Sequence, residues 1–250
     1  MNGIVIVDKP QDWTSQDVTA RLRRVFNTRR IGHGGTLDPM ATGVLPVFVG
    51  RGTRGVEFFE HAEKTYETVL RLGLTTDTED VWGETQEERP VSFTQEKLDA
   101  VLESFRGEIL QVPPMYSALK VNGRKLCDIA RAGETVEREP RPVTVKSLVC
   151  EPTDSPRDYR MTVRVSGGTY IRTLCADIGK ALGCGAAMAA LQRVAVGEYS
   201  LENAVSLETL EDKNDDERAA LLLPTESLFA DLPPVHLPAF FEKLSRSGCE

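Results

Sequence analysis

The alternation of apolar and polar positions predicts an ordered series of strands and helices between residues 3 and 223. Strand patterns, either alternating or continuously apolar, occur at 3–7, 44–49, 65–72, 143–149, 159–165 and 190–199. Apolar residues recur at helical spacing at 14–26, 98–105, 125–132 and 171–182, and in two shorter pieces at 206–223. Because these strands and helices do not alternate regularly, we predict an α+β fold whose mixed, mainly antiparallel central sheet is flanked by helices and loops.

Local signals define several boundaries between these elements. Thr14 and Asp17 form the pattern of a capping box, and Thr53 has the character of an N-cap before a short helix. Residues 75–90 are polar and acidic and contain glycine and proline, so we predict a loop. Residues 117–142 are polar, charged and interrupted by proline. We therefore predict that they leave the core and return to it.

The stretch IGHGGTLDPMATGVLPVFVG, residues 31–50, combines turn-forming residues with a single acidic side chain, Asp38. Its glycines allow sharp turns or the close approach of a ligand, and Pro39 disfavours a helical conformation at Asp38. A lone carboxylate on a stiff turn before a buried strand is suited to a nucleophile or a general base. A turn-stabilising aspartate before proline would give the same local pattern.

The chain is acidic overall, but its charged residues are unevenly distributed. The formal net charge is −8 and the pI is about 5.1, which taken alone argues against nucleic acid as a partner. However, five arginines lie within 21–30 and six basic residues within 117–142, whereas acidic residues gather at 77–88 and 207–217. This segregation allows a basic surface on an acidic protein, although a solvated helix face explains the first cluster equally well.

Composition also indicates a compartment. The sequence has no apolar run long enough to span a membrane, and its N-terminus lacks the pattern of a secretory signal. The five cysteines are irregularly spaced, without a CxxC pair, which favours reduced thiols over disulfides or a zinc site. We therefore expect a cytoplasmic protein with no membrane partner.

Several common catalytic motifs are missing from the sequence. GHGGTLDP lacks the GK[ST] ending of a P-loop, and neither a strand–GxGxxG–helix unit nor a GxSxG elbow occurs. The three histidines, at 33, 61 and 236, are too scattered for a convincing metal site. The candidate chemistry is therefore that of Asp38 with aromatic and cationic partners, and we expect no metal.

Four segments together resemble the TruB family of tRNA pseudouridine synthases. In chain order they are GHGGTLDPMATGVLPV, KTYETVLRLG, PPMYSALKVNGRKL and SGGTYIRTLCADIG, and the resemblance extends from Asn2 to about Pro224. It implies the pseudouridine synthase fold and an enzyme that converts uridine 55 in the TΨC loop of tRNA to pseudouridine without a cofactor or metal. It further implies that the target uridine leaves its stack to be reached.

The resemblance also assigns catalytic roles. Asp38 matches the essential aspartate of the family, which attacks C1′ of the ribose or C6 of the uracil. Arg172 matches the arginine that pairs with this aspartate, and an opposing cation favours the charged form of a carboxylate. Tyr66 matches the tyrosine that stacks on the flipped uracil and is a candidate to help move the C5 proton. The clean alternation around Tyr66 also fits a core aromatic, and both roles are compatible.

Four further residues are assigned to the substrate site or its support. Tyr170 and Leu191 match residues beside the uridine, although a strand-end aromatic and a core leucine would look the same. His33 matches the histidine that occupies the space vacated by the flipped uridine, and it is otherwise an ordinary turn histidine. Lys9 matches the lysine of a motif packed behind the site, where we expect a supporting role.

The resemblance also predicts the domain organisation. It implies a catalytic domain at 1–230 and the start of a truncated C-terminal RNA-binding domain at 231–250. Within the first, residues 117–142 match a thumb-like insertion that closes on the RNA loop, although a solvated surface loop can have a similar composition. We expect a monomer whose partner is the TΨC stem-loop of tRNA.

Two other functions stay open from the sequence alone. A non-catalytic tRNA-binding protein or folding chaperone could use the same scaffold, although binding does not require the set Asp38, Tyr66 and Arg172. A glycosidase-like hydrolase would need a second carboxylate about 5 to 10 Å from the first, and the four segments offer no obvious one. For the isomerase, three routes are open, namely attack at C1′, attack at C6, and a glycal intermediate.

Overall fold

The structure, a computed structural model of the chain, describes residues 1–59, 61–230 and 232–247. The strands are β1 (Gly3–Lys9), β2 (Ile31–His33), β3 (Thr42–Val49), β4 (Lys64–Leu72), β5 (Leu74–Thr76), β6 (Thr85–Glu88), β7 (Gly107–Gln111), β8 (Lys120–Val121), β9 (Arg124–Lys125), β10 (Arg141–Pro152), β11 (Asp158–Val165), β12 (Ala186–Val196) and β13 (Tyr199–Ser200). The helices are α1 (Ser15–Val25), α2 (Val56–Phe59), α3 (Gln95–Ser104), α4 (Leu126–Arg131), α5 (Ile171–Leu182), α6 (Leu207–Asp212), α7 (Asp215–Ala220) and α8 (Ala239–Ser247).

Within these residues, nine strands form one mixed sheet. Seven of them follow the order β1–β3–β12–β4–β11–β10–β7, while β2 pairs with β3 and β13 pairs with β12. The pairing of β3 with β12 is parallel and the others in this sheet are antiparallel. The predicted α+β fold with a mainly antiparallel sheet flanked by helices is therefore confirmed.

The strands β1 and β3 are buried on both faces. On one face, Val7 and Val47 pack against Leu22 of α1 and against α6. On the other face, Ile6 and Phe48 pack in a second cluster that contains α2. Burial on both sides explains why these segments read as continuous apolar runs and not as alternating strands.

The strands β4, β10 and β11 are covered on one face by α3 and α5. Leu70 of β4 and Val163 of β11 pack with Leu102 of α3 and Leu174 of α5. The opposite face of β11 carries the exposed side chain of Arg160. One buried and one solvated face account for the alternating sequence pattern of these strands.

The strand β12 connects the two halves of the sheet. Arg193 lies opposite Tyr66 of β4 in the antiparallel pairing and opposite Gly43 of β3 in the parallel pairing. Leu191 lies opposite Thr68 of β4. This register brings β12 next to the strand that follows the Asp38 turn.

Several predicted boundaries differ from the structure, and three of the differences change how an element is described. The prediction that 75–90 is a loop is wrong, because β5 and β6 form a two-stranded hairpin there, with the Asp77 carboxylate accepting from the Glu84 amide at 2.7 Å. Thr53 does not cap a helix, because it lies inside a 3₁₀ segment, Gly50–Gly55, that precedes α2. The strand predicted at 190–199 begins earlier, since its alanine-rich start at Ala186 pairs with β4.

Two segments extend beyond the main sheet. Residues 117–140 form the β8–β9 hairpin, α4 and a return to β10 without regular secondary structure. In the segment predicted as the start of a C-terminal domain, residues 239–247 form α8, whereas residues 231 and 248–250 lie outside the described residues. Among the described helices, none has the length and apolar character needed to cross a membrane.

Gly43 generates a stability prediction. Its φ is +100°, and an added Cβ would overlap the main-chain carbonyl of Arg193 in β12. Gly43→Ala should therefore lower the free energy of unfolding by more than about 3 kcal/mol, because the clashing neighbour is main chain and cannot turn away. The measurement is urea-induced unfolding followed by circular dichroism.

Gly183→Ala is the matched control. Gly183 ends α5 with φ +91°, and an added Cβ would meet no atom within 4 Å. Only the cost of the left-handed conformation applies there, about 1 kcal/mol. If the two variants lost the same free energy of unfolding, the close approach of β3 and β12 at Gly43 would not be a constraint on the fold.

Candidate active site

The turn between β2 and β3 is hydrogen-bonded to the start of α1. The buried Ser15 hydroxyl accepts from the Leu37 amide at 2.9 Å and donates to the Leu37 carbonyl at 3.1 Å. The Pro39 carbonyl accepts from the Asp12 amide at 2.9 Å. The main chain is therefore fixed on both sides of Asp38.

Arg193 binds the other end of this turn from within the core. Its side chain is fully buried and donates to the carbonyl oxygens of Val44 at 2.7 Å, Gly35 at 3.1 Å and Thr36 at 3.5 Å. Burial lowers the pKa of Arg193, and the electrostatic interaction with the Tyr66 side chain opposes that shift. Sequence reasoning missed this residue, although one charged side chain within an apolar strand indicates a buried, hydrogen-bonded cation.

Asp38 forms an ion pair with Arg172, the second residue of α5. Nε of Arg172 lies 3.0 Å from Oδ2 of Asp38. The Arg172 side chain is 6% exposed and the Asp38 side chain 38% exposed, so the cation is buried while the carboxylate reaches solvent. The two terminal nitrogens of Arg172 donate to the carbonyls of Thr78 at 2.9 Å and Tyr116 at 2.8 Å. Main-chain acceptors therefore direct the guanidinium so that Nε faces Asp38.

A second carboxylate, Asp80, lies beside the same nitrogen. Its Oδ2 is 3.8 Å from Nε of Arg172, and its side chain is 10% exposed. Asp80 Oδ1 accepts from the Thr78 hydroxyl at 2.8 Å and from the Trp82 amide at 3.0 Å. Sequence reasoning found no second carboxylate near Asp38, because nothing in the acidic 75–90 segment distinguishes Asp80 from its neighbours.

Glu79 connects the same hairpin to α5 and β12. Its carboxylate accepts from the Thr173 hydroxyl at 2.6 Å, and its carbonyl accepts from the Met188 amide at 3.0 Å. Burial raises the pKa of Glu79. Its φ of +65° is unusual for a residue other than glycine, which is consistent with a position imposed by these tertiary contacts.

Lys9 lies buried behind the turn. Its Nζ donates to the carbonyls of Trp13 at 2.6 Å, Pro10 at 2.9 Å and Pro39 at 3.4 Å. Burial lowers the pKa of Lys9 to about 8, and attraction to Asp38 opposes the shift. Through Pro39, this lysine binds the residue that directly follows Asp38.

Tyr66 and Leu191 lie in an apolar cluster that reaches the Asp38 turn. Both side chains are mostly buried, and the cluster includes Leu37 and Met40, which flank Asp38 and Pro39 in the chain. The core packing inferred for both residues from sequence is therefore present. Their position next to the turn is also compatible with the substrate contacts that the resemblance implies.

Tyr170 directly precedes α5, two residues before Arg172. Its side chain is partly buried, and burial raises the pKa of the phenol. The charges of Arg172 and Asp38 both act on it, with opposite signs. The charge of Asp38 therefore acts on both Tyr170 and Lys9, and the charge of Arg172 also acts on Tyr170.

His33 lies at the opposite end of the turn, at the end of β2. Its Nε2 is 3.4 Å from Nε2 of Gln16 in α1. Burial lowers the pKa of His33, and the positive charge of Arg193 lowers it further, so the neutral ring is favoured at neutral pH. In the described part of the chain, the structure shows no hydrogen bond between His33 and Asp38.

The arrangement presents a partly exposed carboxylate between a buried cation and an apolar wall. Such a carboxylate is suited to nucleophilic attack on an electrophilic carbon or to proton transfer. Among residues 1–59, 61–230 and 232–247, no three His, Cys, Asp or Glu side chains are arranged to hold a metal ion.

Comparison with known families and proteins identifies the family of the chain. The sequence model of the TruB family pseudouridylate synthase N-terminal domain matches residues 23–171, more than half of the chain. The chain belongs to the TruB family. A model of the tRNA pseudouridylate synthase B C-terminal domain matches residues 172–230, so the boundary between the two TruB models falls next to Arg172.

Relatives in this TruB family are similar along nearly the whole chain. The tRNA pseudouridine synthase B of Ralstonia nicotianae is 48% identical over 242 residues, which cover 96% of this chain and 77% of that protein. The protein of the same name from Cupriavidus pinatubonensis is 47% identical over 249 residues, covering 98% of this chain and 78% of that protein. At this identity and coverage, the chain is a pseudouridine synthase.

Solved structures share the fold seen here. A chain in the crystal structure of a Cbf5–Nop10–Gar1 complex aligns with a TM-score of 0.69 and 31% identity over 90% of this chain. A chain in the structure of an H/ACA RNP bound to a substrate RNA containing 2′-deoxyuridine aligns with a TM-score of 0.65 and 28% identity over 90% of this chain. This chain spans 61% and 60% of the length of those two chains.

Lys9 generates a pH prediction. The folded protein releases the Lys9 proton near pH 8, whereas the unfolded chain holds it to about pH 10.5, so the unfolded state binds more protons between these values. The unfolding free energy of the wild type should therefore rise, relative to that of Lys9→Met, as the pH increases from about 8 towards 10.

Denaturant titrations at several pH values measure this difference. NMR of ¹³C-labelled lysine side chains follows the titration directly, and the resonance missing from Lys9→Met identifies the residue. Parallel stability curves for the two proteins, together with a Lys9 resonance that does not titrate below pH 10, would contradict the prediction.

Proposed function

We propose that this TruB enzyme converts uridine 55 in the TΨC loop of tRNA to pseudouridine, with Asp38 as the nucleophile. The observation that carries the proposal is the partly exposed Asp38 carboxylate, which forms an ion pair at 3.0 Å with Nε of the buried Arg172. The relatives named tRNA pseudouridine synthase B support tRNA as the substrate.

The reaction exchanges one glycosidic bond for another and is redox-neutral. The N1–C1′ bond breaks, the uracil turns, the C5–C1′ bond forms, C5 loses its proton and N1 gains one. Asp38 starts this sequence by attack at C1′ or at C6, or by assisting formation of a glycal, and in each case it leaves as a carboxylate. The overall reaction neither gains nor loses electrons, so it needs no redox cofactor.

Arg172 orients the nucleophile. In this proposal, the ion pair with Nε holds one oxygen of Asp38, and the other oxygen meets the substrate. Because the other guanidinium nitrogens are bonded to main-chain carbonyls, the orientation is set before the substrate arrives. Such preorganisation lowers the cost of reaching the transition state.

The flipped uridine would lie against the apolar wall beside Asp38. In this proposal, Tyr66 stacks on the uracil and helps to move the C5 proton, while Tyr170 and Leu191 border the base. His33, at the far end of the same turn, fills the space that the uridine vacates. The apolar surroundings of Tyr66 and Leu191 and the neutral state favoured for His33 support these roles.

Two basic surfaces would bind the RNA backbone. The thumb-like insertion 117–142 carries six basic and four acidic residues, and it directly follows Tyr116, whose carbonyl accepts from Arg172. The exposed arginines at 23, 24, 29 and 30 extend along α1 and its end, whereas Arg21 is paired with Glu211. Contacts of this kind fix the position of the RNA and depend on shape more than on sequence.

The proposal also covers the domain organisation, the oligomeric state and the cellular location of the enzyme. Residues 1–230 act as the catalytic domain, and 231–250 begin a C-terminal RNA-binding region. The enzyme acts as a monomer in the cytoplasm, where tRNA is its partner. Gel filtration with light scattering tests the oligomeric state independently of the chemistry.

Asp38→Asn generates the central activity prediction. The variant keeps the shape of the side chain and loses the charged nucleophile, so its rate should fall by at least about 1,000-fold. The assay is tritium release from C5-labelled uridine in an unmodified TΨC stem-loop, with binding measured separately on the same RNA. Binding should change by less than about threefold, because the rest of the surface is intact.

The control is Asp99→Asn, an exposed aspartate of α3, which should retain full activity. A stem-loop with cytidine at position 55 should release no tritium from its other uridines. Turnover by Asp38→Asn would refute Asp38 as the nucleophile. Tight binding by the wild type without tritium release would favour a tRNA-binding or chaperone function over the enzyme.

A further inference from the structure

A buried side-chain amide lies directly against the start of α5. Gln111, the last residue of β7, is 2% exposed. Its Oε1 accepts from the Tyr170 amide at 2.8 Å, and its Nε2 donates to the Tyr170 carbonyl at 3.0 Å. One side chain therefore satisfies both main-chain groups of one residue 59 positions away.

This pairing requires a carboxamide at Gln111. Only Asn and Gln present a neutral donor and acceptor side by side in one plane, and only Gln has the reach of this side chain. Tyr170 is the N-cap of α5, yet no side-chain cap bonds the helix there. Its carbonyl also accepts the first helical hydrogen bond, from Leu174 at 3.0 Å. Gln111 therefore fixes the residue from which the helix starts.

The same segment contacts α5 a second time. Five residues after Gln111, the Tyr116 carbonyl accepts from Arg172 at 2.8 Å. Between these two contacts, the Pro113 carbonyl accepts from Arg138 at 3.0 Å. The path from Gln111 to Tyr116 is thus bonded at one end to Tyr170, the N-cap of α5, and at the other end to Arg172, the partner of Asp38.

We propose that Gln111 is a positioning residue for the isomerisation. By fixing the main chain of Tyr170, it sets the first turn of α5, and with it the distance and direction from Nε of Arg172 to the Asp38 carboxylate. It does not touch the substrate and acts through Tyr170 and Arg172. This inference rests on the proposed roles of Asp38 and Arg172.

The test compares the chemical step with RNA binding in two variants, Gln111→Met and Gln111→Asn. Met keeps the length and approximate volume of Gln without hydrogen bonds, and Asn keeps the amide but is one methylene too short. Single-turnover tritium release at saturating stem-loop should fall between about 10-fold and about 100-fold, since an error of about 1 Å in a catalytic group has an effect of this size. The dissociation constant of the RNA should change by less than about threefold.

A stability-matched control separates positioning from general weakening. Leu210→Ala removes a fully buried side chain of α6, in an apolar cluster that contains none of the candidate site residues, so it should lower the melting temperature without slowing the chemical step. The proposal is overturned if folded Gln111→Met reacts within about twofold of wild type, or if Leu210→Ala loses as much rate. It is also overturned if both Gln111 variants fail to fold, because the residue would then act in folding alone.

The outcome is distinguishable from failure of the proposed function. Turnover by Asp38→Asn would refute the nucleophile whatever the Gln111 variants do. An inactive Asp38→Asn together with a fully active Gln111→Met would leave the proposed chemistry intact and reject only the positioning role.

Discussion

The burial of one cation, Arg172, is the constraint on which the site depends. Removing a guanidinium from water is costly unless its donors are satisfied. Here the donors are satisfied by the Thr78 and Tyr116 carbonyls and by Asp38, with Asp80 beside them. These partners come from the catalytic turn, the β5–β6 hairpin and the segment before residue 117. The fold must therefore bring three distant parts of the chain to the start of α5.

A second buried arginine, Arg193, holds the glycine-rich turn in place by hydrogen bonds to its carbonyls. In the same way, main-chain carbonyls hold the guanidinium of Arg172. Arg193 donates to carbonyls of the turn and of β3, so its partners are backbone and its contribution is rigidity. Arg172 has a carboxylate partner that is partly open to solvent, so its contribution is electrostatic as well. Two guanidinium groups at the ends of one turn thus hold Asp38 in place while leaving one side of it accessible to a nucleotide.

Periodicity predicted the elements of this fold well where local pattern and packing agree. The capping box of Thr14 and Asp17 and the helix at 171–182 are present as predicted. The β5–β6 hairpin was not predicted, because β6 is acidic and exposed and the hairpin owes its position to contacts with β12 and α5. The roles of Asp80, Arg193 and Gln111 escaped prediction for the same reason, since each arises from partners far away in sequence. The residues assigned through the TruB resemblance stay predictions about function.

The most direct measurement is a crystal structure of the protein bound to a TΨC stem-loop whose uridine 55 carries fluorine at C5, so that no proton can leave there. The account predicts a flipped base beside Tyr66, with an Asp38 oxygen bonded to C1′ or C6 or within about 3.5 Å of one of them. Nε of Arg172 should remain bonded to the other oxygen. A uridine that stays stacked in the loop, or one whose nearest carboxylate is Asp80 or Glu79, would contradict the account.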